Sequence, residues 1–137
     1  MLIDGGIAVD DRGKISFVNE FDFEDVKRFY VVENHRAGFV RAWHGHKDEG
    51  KYVYVVAGTA IVAYVPMEGT WKLTRHVLSA AKPQILYIPP GHYNGFKTLT
   101  NDAKVIFFAT HRLDESLDDD DRLEPFRWEG VWEVKDR

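Results

Sequence analysis

The sequence predicts an all-β fold, an antiparallel barrel or sandwich, and three observations carry that expectation. Segments rich in Val, Ile, Tyr, Phe and Thr recur through the middle of the chain; turn residues punctuate them at short intervals; and no helical patterns alternate with them. At 137 residues, with 45% hydrophobic and 14% aromatic content, the chain has the material for a packed core. One domain over residues 1–137 is expected.

The opening segment MLIDGGIAVDDRG is acidic and broken by glycines, with neither a basic start nor an apolar run of signal-peptide length. No stretch approaches the ~18 consecutive apolar residues of a membrane span. A cytoplasmic protein with no membrane partner is the expectation. EFDFEDVKRFY (20–30) is the one helix candidate. KYVYVVAGTAIVAYV (51–65) reads as two strands separated at Ala57-Gly58 by a tight turn or bulge. WKLTRHVLSA (71–80), QILYIPP (84–90) and AKVIFFATH (103–111) continue the β pattern, with breaks at Glu68-Gly69, Lys82-Pro83, Pro89-Pro90-Gly91 and Asn101-Asp102. The acidic run DESLDDDD (114–121) reads as a solvated loop or helix start rather than a cation site, because adjacent like charges repel. The tail FRWEGVWEVKDR holds two of the four tryptophans, which either pack on the barrel or close over a flat ligand.

Charge and composition exclude several functions. A net charge of -4 supplies no basic field for a phosphate backbone, so nucleic acid is not an expected partner, and any bound phosphate needs a local group of cations. The absence of cysteine excludes disulfides, thiolate nucleophiles and Cys-based zinc sites.

The chemistry concentrates in RAWHGHKDEGKY (41–52), where His44 and His46 stand two apart. In a strand such residues face the same side. Gly38 and Gly58 frame this stretch, and PPGHYNGF (89–96) has a Pro-x-Gly shape. Together they resemble the two motifs of cupins, small antiparallel jelly-roll (double-stranded β-helix) barrels, and the resemblance implies that both histidines face inward. A metal-binding cupin would add a glutamate and a third histidine. Here Gly50 or Lys51 occupies the first slot, with Glu49 one position short, and Asn94 occupies the second. A lysine aimed at the site repels a divalent cation, and two histidines half-fill a tetrahedral shell, so neither metal nor cofactor is expected. His92 is the remaining substitute ligand.

Without a metal, a neutral imidazole near a lysine can accept a proton at physiological pH, and the lysine can stabilise charge developing on an oxygen. That pairing suits proton abstraction beside a carbonyl. The alternative is two histidines satisfied by hydrogen bonds in a polar barrel interior.

DDRGKISFVNEF (10–21), GFVRAWHGHK (38–47), KYVYVVAG (51–58) and LYIPPGHYNGFKTLTNDAKVIFF (86–108) follow one another in the order and spacing of the sugar-nucleotide cupins. The chain resembles, nearly end to end, that group of dTDP-4-dehydrorhamnose 3,5-epimerases and dTDP-sugar 3,4-ketoisomerases. The resemblance implies His44 as base, Lys51 as the group that holds the enolate, Arg41 near the sugar or pyrophosphate, and Arg12 on the nucleotide phosphates across a homodimer made by exchanged strands. His46 matches the second histidine of the ketoisomerases' His-x-His-Lys. Trp43, Tyr52, Tyr54, Tyr93 and Asn94 are the other candidate contacts to a nucleotide-sugar substrate.

Three departures qualify the match, and the first is Asn94, which stands where epimerases carry a histidine before Gly-Phe. The tyrosine that epimerases carry after their equivalent of KVIFFATH is absent from HRLDES, leaving Tyr52, Tyr54, Tyr93 and His111 as replacement acids. The aspartate that orients their base is absent from RWEGV (127–131), leaving Glu129. The expected activity is epimerisation of a nucleotide-linked 4-keto-6-deoxyhexose at C3, with C5 the second candidate carbon, in deoxysugar and polysaccharide biosynthesis. The alternatives are 3,4-ketoisomerisation, a metal-dependent cupin enzyme, and a non-catalytic sugar-binding cupin.

Overall fold

A computed structural model describes residues Met1–Arg137, and its strands fall largely where the β-rich segments lie. The elements are β1 (Leu2–Asp4), β2 (Gly6–Asp10), β3 (Gly13–Phe17), β4 (Arg28–Val32), β5 (Val40–His46), β6 (Lys51–Ala57), β7 (Thr59–Pro66), β8 (Thr74–Ser79), β9 (Gln84–Ile88), β10 (His92–Thr98), β11 (Lys104–Ala109), α1 (Leu113–Asp118) and β12 (Asp121–Arg122). Two five-stranded sheets, ordered β1-β9-β6-β11-β4 and β12-β5-β10-β7-β8, make the jelly roll, and β2-β3 forms a separate hairpin. All ladders are antiparallel.

Strand parity explains the core. On β6, Lys51, Val53 and Val55 are buried while Tyr52, Tyr54 and Val56 point to the other face, as the two-residue period requires. Val53 and Val55 join Val62, Leu86, Phe96, Val105 and Phe107 between the sheets. Both faces of β7 are buried, so Ile61, Ala63 and Val65 enter a second cluster on the outer side of their sheet with Trp43, Tyr93, Val131 and Trp132. The tail that carries Val131 and Trp132 is pinned there. Arg75 donates to the carbonyls of Val131 (2.8 Å) and Glu133 (3.0 Å), and Lys97 to that of Trp132 (2.9 Å). The tail tryptophans therefore pack on the barrel and leave the cavity to other residues.

The turn expected at Ala57-Gly58 is present. Gly58 adopts φ +69, and an added Cβ would collide with Thr100 Oγ1 and crowd Ala103, so glycine is required on both counts.

The helix expected over residues 20–30 does not form. Residues 20–27 are turn and coil, and β4 begins at Arg28. Phe21 packs edge-on against Tyr52 (5.1 Å) and Phe23 against Phe108 (5.4 Å), and tertiary aromatic contacts of this kind outweigh a weak helical preference. The acidic run instead holds the one helix, α1. Beyond it Asp119 accepts hydrogen bonds from the backbone N–H groups of Lys47 and Asp48, each 2.8 Å, clamping the turn that follows His46. No helix is long and apolar enough to cross a membrane.

Candidate active site

A cavity of about 440 Å³ opens between the two sheets, within the usual size range of small-molecule sites. One wall comes from β5, β10 and β12 and presents Arg41, His44, Asn94 and Arg122. The facing wall comes from β4, β6 and β11 and presents Tyr30, Lys51 and Phe107. Three cations and no carboxylate line it, the charge pattern a diphosphate requires in a chain of net negative charge.

Arg41 and His44 are three residues apart, a spacing that puts two side chains on opposite faces of a regular strand. The β5-β10 register slips between Asn94 and Phe96, so that Asn94 faces His44 while Phe96 faces Arg41. The inserted residue reverses parity and turns both Arg41 and His44 to the cavity. Arg41 Nε donates to Asn34 Oδ1 at 2.8 Å, and Asn34 is held in turn by Thr98 at 3.0 Å. Asn94 Nδ2 donates to the His44 carbonyl at 3.2 Å.

His44 is largely buried beside positive charge, and both effects favour the neutral ring. Burial, then Lys51 and Arg122, push its pKa down to about 4, while Asp120 pulls the other way. The imidazole is therefore a free base at neutral pH. Asp120 also accepts from Arg122 Nε at 3.0 Å, and Arg122 pairs across the β5-β12 ladder directly opposite His44.

Lys51 is 7% exposed, with its ammonium 5.9 Å from the ring centres of both Tyr30 and Phe107. Burial pushes its pKa below the usual lysine value, whereas the Glu49 carboxylate favours the charged form. The Glu49 side chain is fully buried. It accepts from Arg28 (3.2 Å) and Ser116 (3.0 Å) and lies 3.4 Å from His46 Nδ1.

Several expected contacts are corrected here. Trp43, Tyr52 and Tyr93 are the chain neighbours of the inward-facing His44, Lys51 and Asn94, and neighbours in an extended strand point to opposite faces. Trp43 is fully buried in the outer cluster, where Tyr93 also packs with its hydroxyl donating to Asp121 at 2.6 Å. Tyr52 turns outward to Asp25 at 3.2 Å, and Tyr54 shares that outer face. None of Trp43, Tyr52, Tyr54 or Tyr93 lines the cavity, nor does His111, so none of the replacement acids is in place. Glu129 lies in a groove formed by the tail, and the carboxylate whose charge acts on His44 is Asp120.

His46 is also off the cavity lining, buried and directed at Glu49. Arg12 sits on the exposed hairpin β2-β3, paired with Asp10 at 2.6 Å. His92 Nδ1 lies 3.1 Å from the carbonyl oxygens of both Pro89 and Pro90. No group of three or more His, Asp or Glu side chains is gathered closely enough to hold a metal ion.

Tyr30, Arg28, Arg122 and Asp120 are additions that the sequence reading missed. The alternation Arg28, Tyr30, Val32 on β4 was the available signal for the first two, and it lay across the end of the segment read as a helix.

A jelly roll with a neutral histidine and a buried lysine facing one cation-lined cavity is a sugar-nucleotide cupin, an isomerase of keto sugars. The chain belongs to the dTDP-4-dehydrorhamnose 3,5-epimerase family, whose model matches residues 2–136. Solved structures of similar fold include the dTDP-4-dehydrorhamnose 3,5-epimerase of Bacillus anthracis str. Ames with TDP and PPi bound, at TM-score 0.81 and 20% identity, covering 98% of this chain and 85% of that one. The corresponding enzyme of Sulfolobus tokodaii is 27% identical at TM-score 0.77, covering 93% and 80%. ChmJ, a 3'-monoepimerase from Streptomyces bikiniensis in complex with dTDP-quinovose, is 20% identical at TM-score 0.79, covering 99% and 79%. No curated protein matches the chain.

Proposed function

We propose that this protein epimerises a nucleotide-linked 4-keto-6-deoxyhexose at C3. The observation that carries the reading is His44, held neutral on one wall of a cavity whose facing wall presents Lys51. The C4 ketone acidifies the C3 proton. His44 removes it, and the electron pair passes into an enolate whose oxygen the Lys51 ammonium stabilises. Arg41 and Arg122 hold the diphosphate, since guanidinium forks match phosphate oxygens. Glu49, tied to Arg28 and Ser116, favours the charged form of Lys51 and lies 3.4 Å from the ring of His46.

Transfer of the ketone from C4 to C3 would call for a second proton carrier on the wall of His44. His46 supplies the right residue type, but its ring is directed at Glu49 and away from the cavity, which favours epimerisation. The active form is a homodimer. The hairpin β2-β3 projects Val9 (76% exposed) and Ile15 (65% exposed), apolar surface suited to a second copy, and exchange of this hairpin would bring Arg12 to that copy's nucleotide.

The test is incubation with a dTDP-4-keto-6-deoxyglucose-type substrate, followed by NMR. The expected result is a C3 epimer with the ketone still at C4, and no product with His44→Asn. A C3 ketone would establish ketoisomerisation instead. Tight binding of the nucleotide sugar with no chemistry would establish a binding protein. Activity retained in His44→Asn would remove His44 as the base.

A further inference from the structure

Epimerisation needs a proton donor on the face of the sugar opposite the base, and the segment after β11, HRLDES, supplies no tyrosine. We propose that Tyr30, on β4, is the catalytic acid that delivers the proton to C3 from the face opposite His44. The inference rests on the epimerase reading above.

Position is the first support. The six tyrosines of the chain include one that lines the cavity, Tyr30. It stands on the sheet that carries Lys51, and His44 stands on the other sheet. A flat enolate lying between the two walls therefore has the base on one face and the phenol on the other. Return of a proton from His44 restores the original configuration, whereas delivery from Tyr30 inverts it.

The second support is the way the ring is held. Tyr30 stacks on Phe107, its cross-strand partner, at 5.0 Å between ring centres and 11° between planes. The Arg28 guanidinium lies 5.0 Å and the Lys51 ammonium 5.9 Å from the centre of the Tyr30 ring. These contacts fix the ring on the cavity wall, and its hydroxyl donates to no residue of the chain. Burial pushes the phenol well above its ordinary value, opposed by Arg28, so Tyr30 enters the cycle protonated.

The protons balance without a co-reactant. The C3–H bond breaks to His44 while the C3–C4 double bond and the enolate oxygen form. The Tyr30 O–H bond then breaks as a new H–C3 bond forms on the opposite face and the C4 ketone is restored. This leaves an imidazolium and a phenolate, the latter favoured by the charge of Arg28. Solvent returns both groups to their starting states by taking one proton from His44 and giving one to Tyr30.

The experiment compares wild type with Tyr30→Phe in heavy water, following C3 by NMR. Phenylalanine preserves the stack on Phe107 and removes only the hydroxyl. The expected result is that C3 exchange with retained configuration continues within about threefold, because His44 still works. Formation of the inverted sugar should fall by ~10²-fold or more, the usual contribution of a general acid. An unchanged thermal midpoint separates this from a loss of folding. Inverted product within about threefold of wild type would overturn the assignment, as would equal loss of exchange and inversion in a folded variant. A wild-type protein that neither exchanges nor inverts would instead overturn the epimerase reading itself.

Discussion

Glu49→Gln tests whether a buried charge network supports the site. The Glu49 side chain is fully buried, its Oε1 lies 3.2 Å from Arg28 Nη2, and Ser116 Oγ donates to Oε2 at 3.0 Å. At 3.2 Å and an effective dielectric of ~20, the Arg28 attraction is on the order of 5 kcal/mol before any desolvation cost. Removing one partner of a buried pair costs roughly 3–5 kcal/mol, because the other charge is left uncompensated. Glutamine keeps an acceptor for Ser116, and the Arg28 side chain is 23% exposed, so the low end applies, about 3 kcal/mol. Urea unfolding followed by tryptophan fluorescence measures the loss. With a slope of ~2 kcal/mol per molar, the midpoint should fall by about 1.5 M. Arg28→Met added to Glu49→Gln should recover part of that fall, since it removes the stranded cation. A midpoint within about 0.3 M of wild type, or strictly additive losses in the double variant, would refute the reasoning.

Further expectations concern activity. The pH profile of kcat/KM should hold on the acid side down to the region of pH 4, because His44 must be neutral and its pKa is depressed to about 4; an acid limb near ~6.5 would contradict that environment. The alkaline limb should lie below the ordinary lysine value of 10.5, because Lys51 must be charged and burial lowers its pKa; Glu49→Gln should move that limb further down. Arg122→Ala should weaken binding of a nucleoside diphosphate by roughly tenfold, ~1.4 kcal/mol, read by calorimetry. The same change should raise the pKa of His44, one of whose depressing charges it removes. Arg12→Ala should raise KM with kcat unchanged, and light scattering should give twice the 15.8 kDa chain mass; a monomer with full activity would contradict the exchanged hairpin.

The barrel was legible because its central strands are written in β-branched and aromatic residues, with glycine at Gly58 where the backbone demands it. The segment 20–30 misled because Phe21 and Phe23 pack against rings distant in sequence, Tyr52 and Phe108, which no local pattern reveals. His44 and Lys51 were legible from spacing, and both line the cavity. Trp43, Tyr52 and Tyr93 failed by the rule that made the fold readable, since each is the neighbour of an inward-facing residue. Arg122 and Asp120 could not be read at all. They reach His44 through the ladder that pairs Arg122 with it across more than seventy positions of chain, a pairing that only the closed sheet creates.

The central claim, that His44 removes the proton beside the ketone and the sugar is inverted at that carbon, is tested most directly by locating solvent deuterium. Wild-type protein and a 4-keto-6-deoxyhexose nucleotide in heavy water should give one deuterium at C3 of an inverted sugar whose ketone stays at C4. His44→Asn should give no label. Label accompanied by a ketone at C3, or label undiminished in His44→Asn, would contradict the account.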